Sequence, residues 1–344
     1  MFCASVAVAA ATVTAPAQAA ATSPAAPAAP VLHRAQAAAG WLARQMVNRN
    51  HFTETFDGTT FPDQGLTIDA VLAFAATATA DNYASRAMTW LARPHILSGY
   101  IGNGTTSSFA GATANLMLAT EVRGADPAAF GGVNLPARLA ALLTASGRYS
   151  DQSKFGDFSN VLGQSLAIVA TSRDGGAPAS AVNFLISSAC GNGGFPVFFG
   201  EKHCSSSPDA TGEAVQALLA AGRPAAAKPA LSWLASVQQA DGGFGISATG
   251  TPNANSTGLA GEALAAAGWA QQAARARAFL YGQQVGCSGE KVQQGALAFN
   301  GSGFRKGTAA FATAQGILGL AGVGLAQLSG AGSQPGDPRL SCSS

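Results

Sequence analysis

The chain has 344 residues, 48% of them hydrophobic and 10% charged, with a formal net charge of +2. That length supports a large core, and the weak net charge supplies neither a basic field for nucleic acid nor an acidic one for polycations, so nucleic-acid binding is not expected. The 42 glycines and the abundant alanine point to helices packed at close approach rather than to bulky sandwich strands.

Residues 1–19 read as a secretory leader: a short apolar run from Ala4 to Val13 leads to a small-x-small cleavage site ending at Ala19. No Lys or Arg precedes the run, so the basic n-region and the true start codon are expected upstream. A lipoprotein reading through Cys3 fails because no apolar run precedes that cysteine. Residues 20–34, which include "ATSPAAPAAP", read as a disordered Pro/Ala spacer.

From residue 35 the chain alternates two kinds of helical segment. The first kind is "AAAGWLARQM", "AMTWLARP", "ARLAALLTAS", "AVNFLISSA", "ALSWLASVQQ" and "ARAFLYGQQ"; Trp41, Trp90, Phe184, Trp233 and Phe279 each stand before a Leu. Between them lie "LTIDAVLAFAATA", "GATANLMLATEVRG", "SNVLGQSLAIVATS", "DATGEAVQALLAAGR", "NSTGLAGEALAAAGW" and "FATAQGILGLAG". Aligned on Thr211, these place Thr67, Thr113, Val161, Thr211, Thr257 and Thr313 in one slot, with successive differences of 46, 48, 50, 46 and 56. Such self-similarity at a period near fifty marks a helical-pair repeat. The Thr-bearing segments are apolar nearly all round, as an inner layer buried on both sides requires, whereas the Trp-Leu segments carry Arg and Gln on one side. Two concentric layers imply a closed all-α barrel over 35–328, followed by a tail at 329–344.

Gln238-x-x-Asp241-Gly242-x-Phe244 then resembles the QW-type repeat of squalene and hopene cyclases, protein prenyltransferase β-subunits and cobalamin carriers. The resemblance implies an (α/α)6 toroid in which the Gln hydrogen-bonds toward its neighbour, Asp-Gly turns the chain and the aromatic seals the junction. "SACGNGGF", "QQADGGFG", "NANSTGLAGEALAAAG" and "GQQVGCSGEKVQQGALAF" are similar to a narrower group, secreted bacterial prenyltransferase/squalene oxidase repeat proteins, whose role is generally unassigned.

The chemistry of the named families is not carried over. A class II cyclase needs an Asp-x-Asp-Asp acid and an aromatic-walled cavity; the chain has no such motif, and its inner segments hold Ala and Leu. The zinc of a prenyltransferase needs Asp, Cys and His, yet His33, His51, His95 and His203 lie outside the inner segments, which carry no Cys. No cofactor is expected, and catalysis is not the main expectation; the alternative is a terpenoid cyclase-like enzyme acting on an apolar substrate with Asp209 or Glu213 as general acid. For Asp209 the plainer reading is a helix N-cap, with Asn255 in the same slot.

Two surfaces are candidates for binding. Asp69, Asn115, Glu213 and Gln315 share one repeat position, with Glu262 three residues further along its helix, so a closed ring sets them around one rim. A rim of this kind suits a polar ligand or a cation; the plainer reading is solvated groups favoured by the helix dipole. The second is a hydrophobic lip at Phe198-Phe199, among the loop phenylalanines Phe52, Phe56, Phe61, Phe155, Phe158, Phe195, Phe244 and Phe304. The partner is then a small ligand or an envelope component at the loop-rich mouth.

Beyond Cys3 the cysteines are Cys190, Cys204, Cys287 and Cys342, an even number that favours disulfides in an exported chain. Cys190–Cys204 is the first pairing and Cys287–Cys342 the remainder. A zinc site on Cys190, Cys204 and His203 is the rival, and it lacks a fourth ligand. The segment 316–328 is too short and Gly-rich to span a membrane, so a secreted monomer is expected.

Overall fold

The computed structural model describes residues 29–342. In chain order the elements are α1 (Ala29–Gln45), a hairpin of β1 (Phe52–Phe56) and β2 (Thr59–Asp63), α2 (Gln64–Ala76), α3 (Asp81–Leu91), α4 (Pro94–Ile101), α5 (Ala110–Val122), α6 (Leu135–Ala140), α7 (Val161–Arg173), α8 (Ala179–Ser187), α9 (Pro208–Ala220), α10 (Pro224–Val237), α11 (Ala254–Ala266), α12 (Ala270–Gln283) and α13 (Lys306–Ala321). Helices α2, α5, α7, α9, α11 and α13 form an inner ring in which each packs on the next and α13 closes onto α2. Around them α1, α3, α6, α8, α10 and α12 form the outer layer, so the chain is the expected (α/α)6 toroid.

Small residues set the spacing of the inner ring. Gly111 faces Gly163 across α5 and α7, Gly212 faces the backbone of Leu259 and Ala260, and Gly258 faces the backbone of Gln315 and Gly316. A Cβ on Gly258 would overlap the Gln315 carbonyl oxygen. These contacts join near-equivalent positions of neighbouring helices, so the inner helices run parallel and start at the same end of the barrel. Glycine in a helix costs about 1 kcal/mol relative to alanine; here close packing offsets it.

The repeat junction follows from the same logic. Gly242 has φ +89°, a conformation that costs glycine little, and lies against the backbone of Arg275 in the next outer helix. Gly243 lies against the Phe279 ring. Phe244 is fully buried, and its N–H donates to the Thr257 hydroxyl at 2.9 Å. Thr67, Thr211 and Thr313 accept from Phe52, Phe195 and Leu297 in the same way, each at 2.9 Å. The Gln238 amide bridges Gly242 O and Gln272 O of the next outer helix, both at 2.9 Å. Gln284 repeats this toward Arg34 O at 2.9 Å, and the Trp41 indole donates to Val292 O at 2.9 Å, so the last junction fastens the first helix.

Three details differ from the sequence reading. The Thr slot of the third repeat is Gln164, not Val161: Gln164 is the fourth residue of α7, as Thr211 is of α9, and its Oε1 accepts from Tyr149 N at 2.9 Å. The differences around it become 51 and 47. Residues 52–63, read as loop, form the hairpin, because Asp57 and Gly58 both take positive φ and supply a tight two-residue turn. Helix α1 begins at Ala29, inside the stretch read as spacer, while the leader lies outside the described residues. The tail, expected to be held by Cys287–Cys342, is also tied down along its length: Gly330 N bonds Val122 O at 2.7 Å, Asp81 N bonds Gln334 O at 3.1 Å, and Arg44 meets Asp337 at 3.5 Å.

Both expected disulfides are present, Cys190–Cys204 and Cys287–Cys342, each with Cα atoms 5.5 Å apart. The pairing removes Cys190 and Cys204 as zinc ligands. Among the described residues no helix is long and apolar enough to cross a membrane.

Candidate functional site at the axial end of the barrel

The stripe of each inner helix that faces the barrel axis reads i, i+4, i+7, and the six stripes stack into three layers. Uppermost are Gly65, Gly111, Leu162, Asp209, Asn255 and Phe311. Below them come Asp69, Asn115, Leu166, Glu213, Leu259 and Gln315, and below those Leu72, Leu118, Val169, Gln216, Glu262 and Leu318. Exposure falls with depth: Phe311 is 46% exposed, the middle layer is partly reached by solvent, and Glu262 is 1% exposed. The fall from Phe311 to Glu262 fits a blind recess that opens where the inner helices begin. Its floor is mostly Leu and Val, and the far end is covered by the segment around Gly324–Gln327, where Gln216 approaches Gly324.

Helix α7 supplies Leu162, Leu166 and Val169 and is the apolar wall; the other five helices supply the polar groups. Asn115 and Gln315, on the two helices that flank α2, stand on either side of Asp69. Asn255 Nδ2 donates to Gln315 Oε1 at 3.0 Å, and Asn115 Nδ2 donates to the Tyr100 hydroxyl at 3.4 Å. Asp209 lies beside Ser256 of the neighbouring α11, and its Oδ1 has no hydrogen-bond partner.

Burial governs the charge state. The Asp69 carboxyl is pushed up to about 7, first by burial and then by Asp63, with its two amide partners opposing. Burial, with Asp69 and Asp209 adding to it, pushes Glu213 up to about 8. Helix α9 stands opposite α2 in the ring, so this coupling between Asp69 and Glu213 runs across the axis. Glu262 is held well above the usual carboxylate range by burial and by Glu213, and Asp209 is raised chiefly by burial. No Lys or Arg relieves any of the four.

The cluster also leaves polar atoms without hydrogen-bond partners: Asp209 Oδ1, Glu213 Oε2, Gln216 Nε2, Asn255 Oδ1 and Glu262 Oε1. A buried polar atom left unsatisfied costs about 1–3 kcal/mol, so five in one recess are a substantial stored demand for a hydrogen-bonding occupant. Protonated carboxyls donate as well as accept, and the amides do both. The recess can therefore pair hydroxyls or amines. It has no cation with which to hold a phosphate or carboxylate.

The structure thus brings Asp69, Asn115, Glu213 and Gln315 together, and Glu262 and Asp209 join them. The reading of the rim as solvated end-of-helix groups does not hold for Glu213, 8% exposed, or Glu262. Nor is Asp209 the helix cap: α9 starts at Pro208 after Ser207, which places Asp209 inside the first turn. The cap of α11 is Asn253, whose side chain accepts from Ser256 N at 2.9 Å, so Asn255 is free to face the recess. Phe198 and Phe199 are elsewhere. With Phe184, Pro196 and Cys204 they line a separate surface cavity of about 290 Å³, where Phe199 packs edge-on against Phe184 at 5.0 Å.

Tyr100, Gln216 and Phe311 escaped the sequence reading. Gln216 and Phe311 were reachable from it by counting three residues on from Glu213 and four back from Gln315, whereas Tyr100 comes from α4, which has no counterpart in the repeat. Among the described residues no group of three or more His, Cys, Asp or Glu is disposed to hold a metal ion.

No protein-family model and no curated protein matches the chain. Solved structures do. A crystal structure of a protein from Actinoplanes is similar at 16% identity and TM-score 0.60, covering 86% of this chain and 98% of that one. The type II terpene cyclase MstE from Scytonema matches at 14% identity and TM-score 0.62, covering 85% and 98%. An unsaturated glucuronyl hydrolase specific for heparin matches at 10% identity and TM-score 0.60, covering 84% and 95%. At these identities the likeness speaks for architecture alone, and on that ground the chain belongs with the α/α toroids, the fold it shares with these cyclase and hydrolase enzymes.

Proposed function

We propose that the protein is an exported, non-catalytic toroid that binds a small polar ligand, neutral or cationic, in the axial recess, through Asp69, Asn115, Glu213 and Gln315 with Asp209, Asn255 and Glu262. The observation that carries this reading is the set of five unpaired polar atoms gathered on one axis beneath a solvent-reached rim. An apolar occupant would leave them unpaired, and an anion would meet carboxyl groups without a compensating cation. Two disulfides fit an oxidising compartment, which supports the export reading. Toroids of similar fold occur in complex with geranylgeranyl dihydroxybenzoate and with glucose. The acid-and-amide lining here is chemically suited to a ligand of the second kind.

One observation favours the enzyme alternative: Glu213 keeps its proton to about pH 8 on the axis, as a general acid must. The recess lining weakens it, because only α7 offers a wall for an apolar substrate.

Native mass spectrometry of the protein isolated from its source culture tests the binding reading. A stoichiometric polar adduct, lost in the Asn115→Leu/Glu213→Leu double variant, is expected. Retention of an isoprenoid or other apolar compound would refute it.

A further inference from the structure

Every large hydrophobic side chain exposed among the described residues lies at the end where the recess opens. Val47, Phe56 and Phe61 are on the connection before α2, Phe155 and Phe158 before α7, Phe198 before α9, Ile246 before α11 and Val292 before α13, with Phe311 in α13 itself. None is on the connections at the other end, which join each inner helix to the next outer one. Six of the nine are phenylalanines, at 46–76% exposure, and for most of them packing offers no explanation. Phe311 has the most telling place. It stands one helical turn above Gln315 on the axial stripe of α13, level with Asp209 and Asn255, so its ring forms part of the lip of the polar recess.

A blind recess rich in unmatched donors and acceptors, entered past exposed flat rings, suits a ligand with two faces. Its edge must carry closely spaced hydroxyls, and its flat side must be apolar C–H surface that repeats outward along a chain. We infer that the recess takes the terminal sugar of a neutral oligosaccharide, with Phe311 stacking on that unit and the loop phenylalanines, Phe155 and Phe158 across the axis from it, holding those that follow. The inference rests on the polar-ligand reading above and adds the ligand class and its end-on mode. The closed floor of Leu72, Leu118, Val169 and Leu318 allows a chain end to enter but not a chain to thread through. Uronic or sulfated units are excluded by the carboxyl lining without a facing Lys or Arg. Isoprenoids are excluded because Asp209, Asn255, Glu213, Gln216 and Glu262 would each keep an unpaired atom.

The test is isothermal titration of the disulfide-intact protein at pH 6 with neutral gluco-, manno- and chito-oligosaccharides of one to six units, β-cyclodextrin, spermidine and geranylgeraniol. One oligosaccharide series is expected to bind, with affinity rising over the first few units. Phe311→Ala should weaken every length by about tenfold or more, since burying a large apolar side chain is worth about that factor. Phe155→Ala/Phe158→Ala should weaken only the longer members, and Glu213→Leu should abolish binding while circular dichroism shows the fold retained. If Glu213→Leu does not fold, Asn115→Leu serves in its place. Binding of spermidine without any oligosaccharide would overturn the sugar inference and leave the polar recess standing. Binding of geranylgeraniol alone would overturn both. Equal binding of β-cyclodextrin, which has no chain end, would overturn the end-on mode.

Discussion

Replacing Glu213 by Gln should flatten the dependence of stability on pH. In the folded chain, burial with Asp69 and Asp209 lifts the Glu213 carboxyl from 4.5 to about 8. Above its unfolded value the unfolded chain releases this proton while the folded chain keeps it. The folded state then binds more protons, so the stability conferred at low pH is lost as pH rises through the folded value. At 1.36 kcal/mol per pH unit, the loss attributable to Glu213 between pH 4.5 and 8 reaches about 5 kcal/mol. Asp69, raised to about 7, and the raised Asp209 and Glu262 act in the same direction and remain in the variant. Glutamine keeps the shape and donor capacity of the protonated acid without titrating. Urea midpoints by circular dichroism at pH 5, 6, 7 and 8 should therefore fall steeply for the wild type and less steeply for Glu213→Gln, with the two differing by about 3–5 kcal/mol in their total loss. Parallel profiles, or a wild type that gains stability from pH 5 to 8, would refute the buried protonated cluster.

Gly258→Ala should destabilise by about 1–3 kcal/mol through overpacking, because its Cβ meets the Gln315 carbonyl; thermal denaturation showing no change would contradict the close inner-ring packing. Thr211→Val should cost about 1–3 kcal/mol by leaving the buried Phe195 N–H unpaired, measured by urea denaturation. Arg173 donates to Leu325 O, Ala326 O and Leu328 O and pairs with Glu121 at 3.3 Å, so Arg173→Ala should raise hydrogen exchange selectively over 322–330. Thiol labelling of the unreduced, denatured protein should find Cys190, Cys204, Cys287 and Cys342 all blocked; labelling of any would contradict the two disulfides.

The architecture was legible because the repeat writes it several times over. The Thr slot, the Trp-Leu pairs and the Gly-Gly-Phe junction each encode one contact between consecutive hairpins, and each recurs. The third repeat was misregistered for a physical reason: Gln164 performs from the inner helix two jobs that other repeats divide. Its Oε1 accepts the junction N–H as the threonines do, and its Nε2 bridges Gly147 O at 2.9 Å and Ala181 O at 3.1 Å, as Gln238 does from the outer layer. The hairpin at 52–63 carries its signal, Asp57-Gly58 between alternating Thr and Phe, but interrupts a helical pattern strong enough to mask it. For the site, shared repeat position gathered Asp69, Asn115, Glu213 and Gln315. Burial depth did not follow from it, since whether an axial carboxyl meets water depends on how far the floor rises. That height is set by Leu72, Leu118, Val169 and Leu318 together, not by any one segment.

The most direct test is a high-resolution crystal structure of the protein purified from its source without a chromatographic step that strips ligands. Hydrogen-bonded density on the axis, reaching Glu213 Oε2, Asn255 Oδ1 and Asp209 Oδ1, is the expected result. A recess collapsed so that these carboxyl and amide groups satisfy one another, with nothing between them, would contradict it.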